Sequence, residues 1–237
     1  MAGHSKWANI KRQKGVKDAQ KSKLYTRLVK EIVVAIKQGG PIVETNSRLK
    51  IAIQNAKAAN LPKATIEKTI NKANSKDQIN YTEISYEGYA KHGVAIIVEC
   101  TTDNTNRTVS EVRTIFNKYG GSMAKNGSIA FLFERKGKFV IEKNENEELV
   151  LQLIDAGAET VDTEDDNTYI LSPMQHFHSI NKLLEECNIS IQEANLEYIP
   201  NKTVKITEEQ AEPIIKLIDA LENNEDIKAV YHNAEIC

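Results

Sequence analysis

The sequence predicts an α+β protein of three domains, a helical N-terminal domain followed by two α+β domains, the third ferredoxin-like and inserted in the second. Three observations lead there. Apolar residues recur at helical spacing from Leu24 to Ala73. From Tyr81 onward, strand-like and helix-like periods alternate. One stretch of that alternation reads β-α-β-β-α-β, the ferredoxin-like order, and leaves a β-α-β remainder at the C-terminus. That remainder is orphaned unless it pairs with the strand beginning near Gly93. The expected boundaries are therefore 1–78, 79–134 plus 202–237, and 135–201. Such an insertion is physically reasonable where chain ends lie close together.

Leu24, Leu28, Ile32 and Ile36 recur every four residues and predict one apolar helix face. Gly39 and Gly40 end that helix, and Pro41 forbids its resumption. A second helix is expected from near Asn46, with Leu49, Ala52, Ile53 and Ala56 inward. A third follows Pro62, a residue suited to a first turn, with Ile66, Ile70 and Ala73 inward. Gly93 to Cys100 reads as a strand. A helix from about Asn106 to Tyr119 turns Val109, Val112, Phe116 and Tyr119 to one side, and Gly120 closes it. Ile129 to Phe133 is read as another short strand.

In the inserted segment, a strand at Phe139 to Glu142 precedes a helix carrying Leu149, Val150, Leu153 and Ile154, stopped by Gly157. Two strands flank a turn near Asp165. Ser172-Pro173 is expected to start a helix with Phe177, Ile180, Leu184 and Cys187 inward. A strand near Ile189 to Tyr198 completes the order. After Pro200, a strand at Thr203 to Ile206 leads to a capping box, Thr207 with Gln210, and a helix bearing Ala211, Ile214, Leu217, Ile218 and Leu221. Ala229 to His232 is the last expected strand.

The chain has 237 residues, 41% hydrophobic and 27% charged, values that suit a packed globular protein. No run of eighteen apolar residues occurs, and the N-terminus lacks the apolar core of a secretory signal. Cys100, Cys187 and Cys237 stand far apart, without a C-x-x-C pair. That pattern fits a reducing compartment, and a cytoplasmic protein without membrane contact is expected.

Chemistry-bearing motifs are missing. None of the five histidines forms H-E-x-x-H, and His176 and His178, two apart on an expected helix, point to different faces. Asp103, Asn104 and Asn106 fail the EF-hand pattern at Thr105, and capping of the following helix accounts for them. The acids Glu159, Asp162, Glu164, Asp165 and Asp166 straddle a strand and a turn and read as a solvated rim. Neither phosphate-cradling glycine loop nor a G-x-S-x-G elbow is present. The expectation is a protein with no catalytic residues, no metal and no cofactor.

The charge distribution is the informative feature. Residues 1–77 hold seventeen Lys or Arg against five Asp or Glu, while the remaining residues hold fourteen against twenty-eight. A basic head on an acidic body directs the head toward a polyanion. The candidate contacts are Lys6, Trp7, Lys11, Arg12, Lys14, Lys17, Lys21, Lys23, Arg27, Lys30, Lys57 and Lys63. The first seventeen residues contain no acid and too few apolar residues for a buried stripe. This arm is expected to order on meeting its partner. Trp7 either stacks on an exposed base or packs on the helical domain. Lysine outnumbers arginine fourteen to three in the head, which favours phosphate and shape recognition over base readout. Pro62 to Lys72, with Lys63, Lys68 and Asn71 outward, is a candidate recognition helix. The acidic body is expected to stand off the polymer and to offer its surface to a protein partner.

Several runs resemble the YebC family: M-A-G-H-S-K-W-A-N-I-K at Met1 to Lys11, A-A-N-L-P-K at Ala58 to Lys63, and Y-E-G-Y at Tyr86 to Tyr89. The likeness continues through V-E-C-T-T-D-N-T-N-R-T-V at Val98 to Val109, G-S-I-A-F-L-F at Gly127 to Phe133 and T-E-D-D at Thr163 to Asp166. It closes with L-I-D-A-L-E at Leu217 to Glu222 and V-Y-H-N-A at Val230 to Ala234. The chain departs from the family pattern at Gly39 to Val43 and at Tyr119 to Met123. The resemblance implies the same three-domain architecture. It also implies a DNA-binding transcriptional regulator or, alternatively, a ribosome-associated translation factor that binds rRNA and eases elongation through proline-rich stretches.

Overall fold

The computed structural model describes residues 17–75 and 80–237. It is an α+β protein whose residues cluster into two compact units. One unit takes the chain up to Val34, from Asp77 to Glu134 and from Ile199 to Cys237, and the other takes Ala35–Lys76 and Arg135–Tyr198.

In the first unit, β1 (Thr82–Tyr89) and β2 (Ala95–Thr102) form an antiparallel hairpin, with Tyr86 opposite Val98. Helix α4 (Thr105–Lys118) follows, and the two-residue β3 (Ser122–Met123) pairs back on β1. The C-terminal flank contributes β8 (Val204–Ile206), α7 (Glu208–Glu222), β9 (Ile227–His232) and β10 (Ala234–Ile236). Strand β9 pairs antiparallel with β2, giving a sheet of order β3-β1-β2-β9, while β8 and β10 form a parallel pair. The expected pairing of the last segment with the strand near Gly93 is thus present. Asn233, buried between β9 and β10, bridges the break: its Oδ1 accepts from the Ala95 amide at 2.8 Å, and its carbonyl accepts from the Val204 amide at 2.7 Å.

Helices α4 and α7 bury Val112, Phe116, Ile214, Leu217, Ile218 and Leu221 in one core with Ile96, Val98 and Ile227 from the sheet. The expected capping box on α7 forms: the Gln210 amide donates to Thr207 Oγ1 and the Thr207 amide to Gln210 Oε1. Gly88 is required inside β1, since a Cβ there would lie 2.6 Å from the Phe116 ring and 2.8 Å from the Ser122 carbonyl.

The second unit contains α2 (Ser47–Ala58) and α3 (Lys63–Ala73), together with a β-α-β-β-α-β run. That run comprises β4 (Phe133–Glu142), α5 (Glu147–Asp155), β5 (Thr160–Glu164), β6 (Asn167–Pro173), α6 (Phe177–Glu186) and β7 (Ile191–Pro200). The sheet order is β5-β6-β4-β7. Its core gathers Phe139, Ile141, Leu153, Ile170, Ile180 and Leu184, with Phe139 stacked on Phe177 at 4.7 Å between ring centroids. Asn46 caps α2 through Leu49, and its amide also donates to the Ala35 and Gly40 carbonyls at 2.8 Å each.

Asn55 of α2 imitates a strand partner on edge strand β7. Its Nδ2 donates to the Ala194 carbonyl at 2.9 Å, and its Oδ1 accepts the Ala194 amide at 3.0 Å. Both groups are buried, so Asn55→Ala is expected to cost about 1–3 kcal/mol, the range for stranded buried polar groups. Urea unfolding checks this, and an unchanged midpoint would contradict it.

Four expected details are corrected. Ile129 to Phe133 is not a strand: Ala130–Leu132 is a 3-10 turn, and the strand begins only at Phe133. Ser172-Pro173 does not start a helix, because both residues pair with β4 inside β6; the helix begins at Phe177 after a 3-10 turn. Cys187 is exposed, as the residue that closes α6, rather than inward. Leu24 is also exposed, although Leu28, Ile32 and Ile36 are buried as expected.

Candidate nucleic-acid interface

Lys6, Trp7, Lys11, Arg12 and Lys14 lie outside the described residues. Lys17 opens α1 (Lys17–Gly39). Along that helix the candidate cations do not share one role. Lys21 is exposed, 5.7 Å from the ring of Tyr25. Lys23 Nζ donates to Asn223 Oδ1 at 2.6 Å, and Arg27 Nη2 donates to the Glu222 carbonyl at 2.5 Å. Burial pulls the Arg27 guanidinium below its ordinary pKa, with Glu222 opposing.

Lys30 departs from the expectation of a phosphate contact. It is buried, and its ammonium donates to the Thr101 carbonyl at 3.1 Å, the Glu225 carbonyl at 2.8 Å and Asp226 Oδ1 at 2.9 Å. An ammonium has three protons to donate, and these three acceptors account for all of them. Lys30 stands one turn before the buried Val34, on a different face from Leu28 and Ile32, and that face of α1 is buried as well.

Asp226 is the centre of this cluster. Its Oδ2 accepts from Arg107 Nη2 at 2.6 Å, Thr108 Oγ1 at 2.9 Å and Thr102 Oγ1 at 3.0 Å. Burial alone would raise the Asp226 pKa; hydrogen bonds from Arg107, Lys30 and Thr108 override it and hold the carboxyl at about 2. Its two carboxylate neighbours in turn push the Arg107 guanidinium upward. Cys100 nearby is pushed up to about 12, by burial first and then by the Asp226 and Glu99 charges. The run Thr101 to Thr108 therefore builds a structural anchor, and Asn104 caps α4 by accepting the Arg107 amide at 3.0 Å. Sequence reasoning missed Asp226, which sits in a turn among other acids with no local pattern to mark it.

Glu87 in β1 is a second buried carboxylate. It accepts from the backbone amides of Gly127 at 2.6 Å, Ile129 at 2.5 Å and Ala130 at 3.1 Å. Two of the family-like runs, Tyr86 to Tyr89 and Gly127 to Phe133, are thus one device: a carboxylate and the loop it binds.

In the second unit Lys63, Lys68 and Asn71, expected outward, are exposed on α3, as are Lys57 on α2 and Lys72 on α3. Lys63 lies 3.7 Å from Glu67 one turn on, an exposed pair of little energetic weight. The only acid on the two helices is Glu67, so the face is strongly cationic. Among the described residues no group of three or more His, Cys, Asp or Glu side chains could hold a metal ion, and no helix is long and apolar enough to cross a membrane.

Fold and surface together define an α+β protein with a cationic helical face and with its buried carboxylates committed to structure. Residues 5–76 match the profile described as the TACO1/YebC protein N-terminal domain, and residues 81–234 match the one described as the TACO1/YebC second and third domain. The chain belongs to the TACO1/YebC family. A probable transcriptional regulatory protein of Amoebophilus asiaticus is 50% identical over 238 residues, covering 98% of each chain. Another, from Thermotoga maritima, is 43% identical over 240 residues, covering 100% of this chain and 94% of that one. The crystal structure of a conserved hypothetical protein from Aquifex aeolicus matches with a TM-score of 0.85 at 41% identity, covering 93% of this chain and 92% of the other.

Proposed function

We propose that this chain is a non-enzymatic, cytoplasmic regulator of gene expression that binds nucleic acid through its basic N-terminal third, as a DNA-binding transcriptional regulator. The observation that carries the reading is the charge segregation, seventeen basic against five acidic residues in 1–77 and the reverse imbalance beyond. The exposure of Lys57, Lys63, Lys68 and Lys72 supports it, as do the relatives named probable transcriptional regulatory proteins. Lys21, Lys57 and Lys63 are the described candidates for phosphate contacts, joined by Lys6, Trp7, Lys11, Arg12, Lys14 and Lys17 of the arm. Lys23 and Arg27 are engaged by Asn223 and the Glu222 carbonyl, and Lys30 is assigned to the interior instead. The domains 1–78, 79–134 with 202–237, and 135–201 then divide the labour: the first binds nucleic acid, and the acidic pair faces a protein partner.

A specific regulator should prefer its own promoter over scrambled duplex by at least about tenfold at fixed salt. Competition binding with promoter fragments measures this, and equal affinities would remove the transcriptional reading. The preponderance of lysine over arginine, fourteen to three, favours a second reading, a ribosome-associated factor that recognises rRNA by charge and shape. Co-sedimentation with ribosomes that survives DNA digestion would establish that one instead.

A further inference from the structure

Phe131 is the most exposed large apolar side chain among the described residues, at 70%. Its exposure is imposed by the backbone on both sides. Ile129 before it is fully buried and Phe133 after it is nearly so. The buried Glu87 carboxylate grips the amides of Gly127, Ile129 and Ala130. From the other side Asn201 donates its side-chain amide to the Phe131 carbonyl at 3.3 Å and its backbone amide to the Leu132 carbonyl at 2.9 Å. A turn pinned by five hydrogen bonds presents one aromatic ring to solvent.

The two chain stretches that bracket the ring, between Glu111 and Glu134 and between Glu197 and Glu208, contrast in charge with the rest of their domain. From Val112 to Phe133 the sequence contains Arg113, Lys118 and Lys125 and no acid; from Ile199 to Thr207 it contains Lys202 and Lys205 and no acid. All five cations are exposed. Lys125 lies in the Glu87-bound loop, its carbonyl accepting from Ser128, and Lys202 follows Asn201 directly. An exposed aromatic ring flanked by lysines on a fixed backbone is the arrangement that binds single-stranded nucleic acid, with the ring stacking on a base and the cations on the phosphates.

We propose that the Phe131 turn is a second nucleic-acid contact, which stacks an unpaired base on Phe131 with the adjoining phosphates on Lys125 and Lys202. This rests on the reading of the chain as a nucleic-acid-binding protein and adds an unpaired segment to its ligand. The full-length chain and the Phe131→Ala and Phe131→Trp variants are titrated with an unstructured single-stranded RNA of about twenty nucleotides and with a duplex DNA of equal length. Stacking is worth about 1–3 kcal/mol per base. Phe131→Ala should therefore weaken single-strand binding about 5- to 150-fold, Phe131→Trp should restore it, and duplex binding should not change. Since the ring is 70% exposed, urea unfolding of Phe131→Ala should match the parent. Equal single-strand affinity for parent and Phe131→Ala overturns the stacking contact and leaves the basic head untouched. Failure of the parent to bind either nucleic acid overturns both.

Discussion

Replacing Asp226 with alanine is expected to lower the unfolding free energy by about 3–5 kcal/mol, the range found when one partner of a buried ion pair is removed. The reason is what remains. Lys30 would stay buried with two carbonyl acceptors and no counter-charge, and Thr102, Thr108 and Arg107 would lose their common acceptor. Urea unfolding of the parent and the variant measures the loss; a change under about 1 kcal/mol, the range of an exposed pair, would show that the cluster is incidental. Lys30→Met in the Asp226→Asn background should recover part of the cost, because the unpaired cation is gone and coupled residues do not add.

The same carboxyl gives a pH signature. Its folded pKa, about 2, lies below the ordinary unfolded value of about 3.9. The native state therefore keeps Asp226 ionised where the unfolded chain has taken up a proton. Its contribution is complete above about pH 4 and disappears as the pH falls toward 2. The stability gap between the parent and Asp226→Asn should narrow over that window and stay constant above it.

Glu87→Gln is expected to cost about 2–4 kcal/mol and to loosen residues 124–132. The carboxylate accepts with both oxygens, Oε1 from Gly127 and Oε2 from Ile129 and Ala130. An amide offers one oxygen, and its NH₂ would face a backbone donor in a buried site, where unsatisfied or opposed donors cost about 1–3 kcal/mol each. Hydrogen exchange at the Gly127, Ile129 and Ala130 amides should accelerate in the variant. Undiminished protection there would mean that the loop is ordered by its apolar anchors alone.

How far the sequence reveals this protein depends on whether a signal is local. Helices α2, α3, α4 and α7 were legible because apolar spacing, caps and terminators agreed: Asn46, Pro62, Asn104 and Thr207 all stand where the helices begin. Strand β1 carried no such agreement. Its eight residues include Glu87 and Gly88, poor strand formers that are explained by partners distant in sequence, the 127–130 amides and the Phe116 ring. Ile129 to Phe133 misled because its apolar run serves two purposes: Ile129 and Phe133 are buried, while Phe131 points out. The candidate site divides in the same manner. Charge counting located the cationic face of α2 and α3 and misassigned Lys30, since composition says nothing about which way a lysine turns. Asp226, more than a hundred residues from the Thr102, Arg107 and Thr108 side chains that bind it, had no sequence signature at all.

If the basic head binds a polyanion through its phosphates, binding must release counterions, and the affinity of the full-length chain for duplex DNA as a function of salt concentration reports that release. With about seven lysines neutralising phosphates, the log–log slope should be about −6. A slope near zero would mean that no cations of the head displace counterions from the polymer, and the head would then not be a phosphate-binding surface.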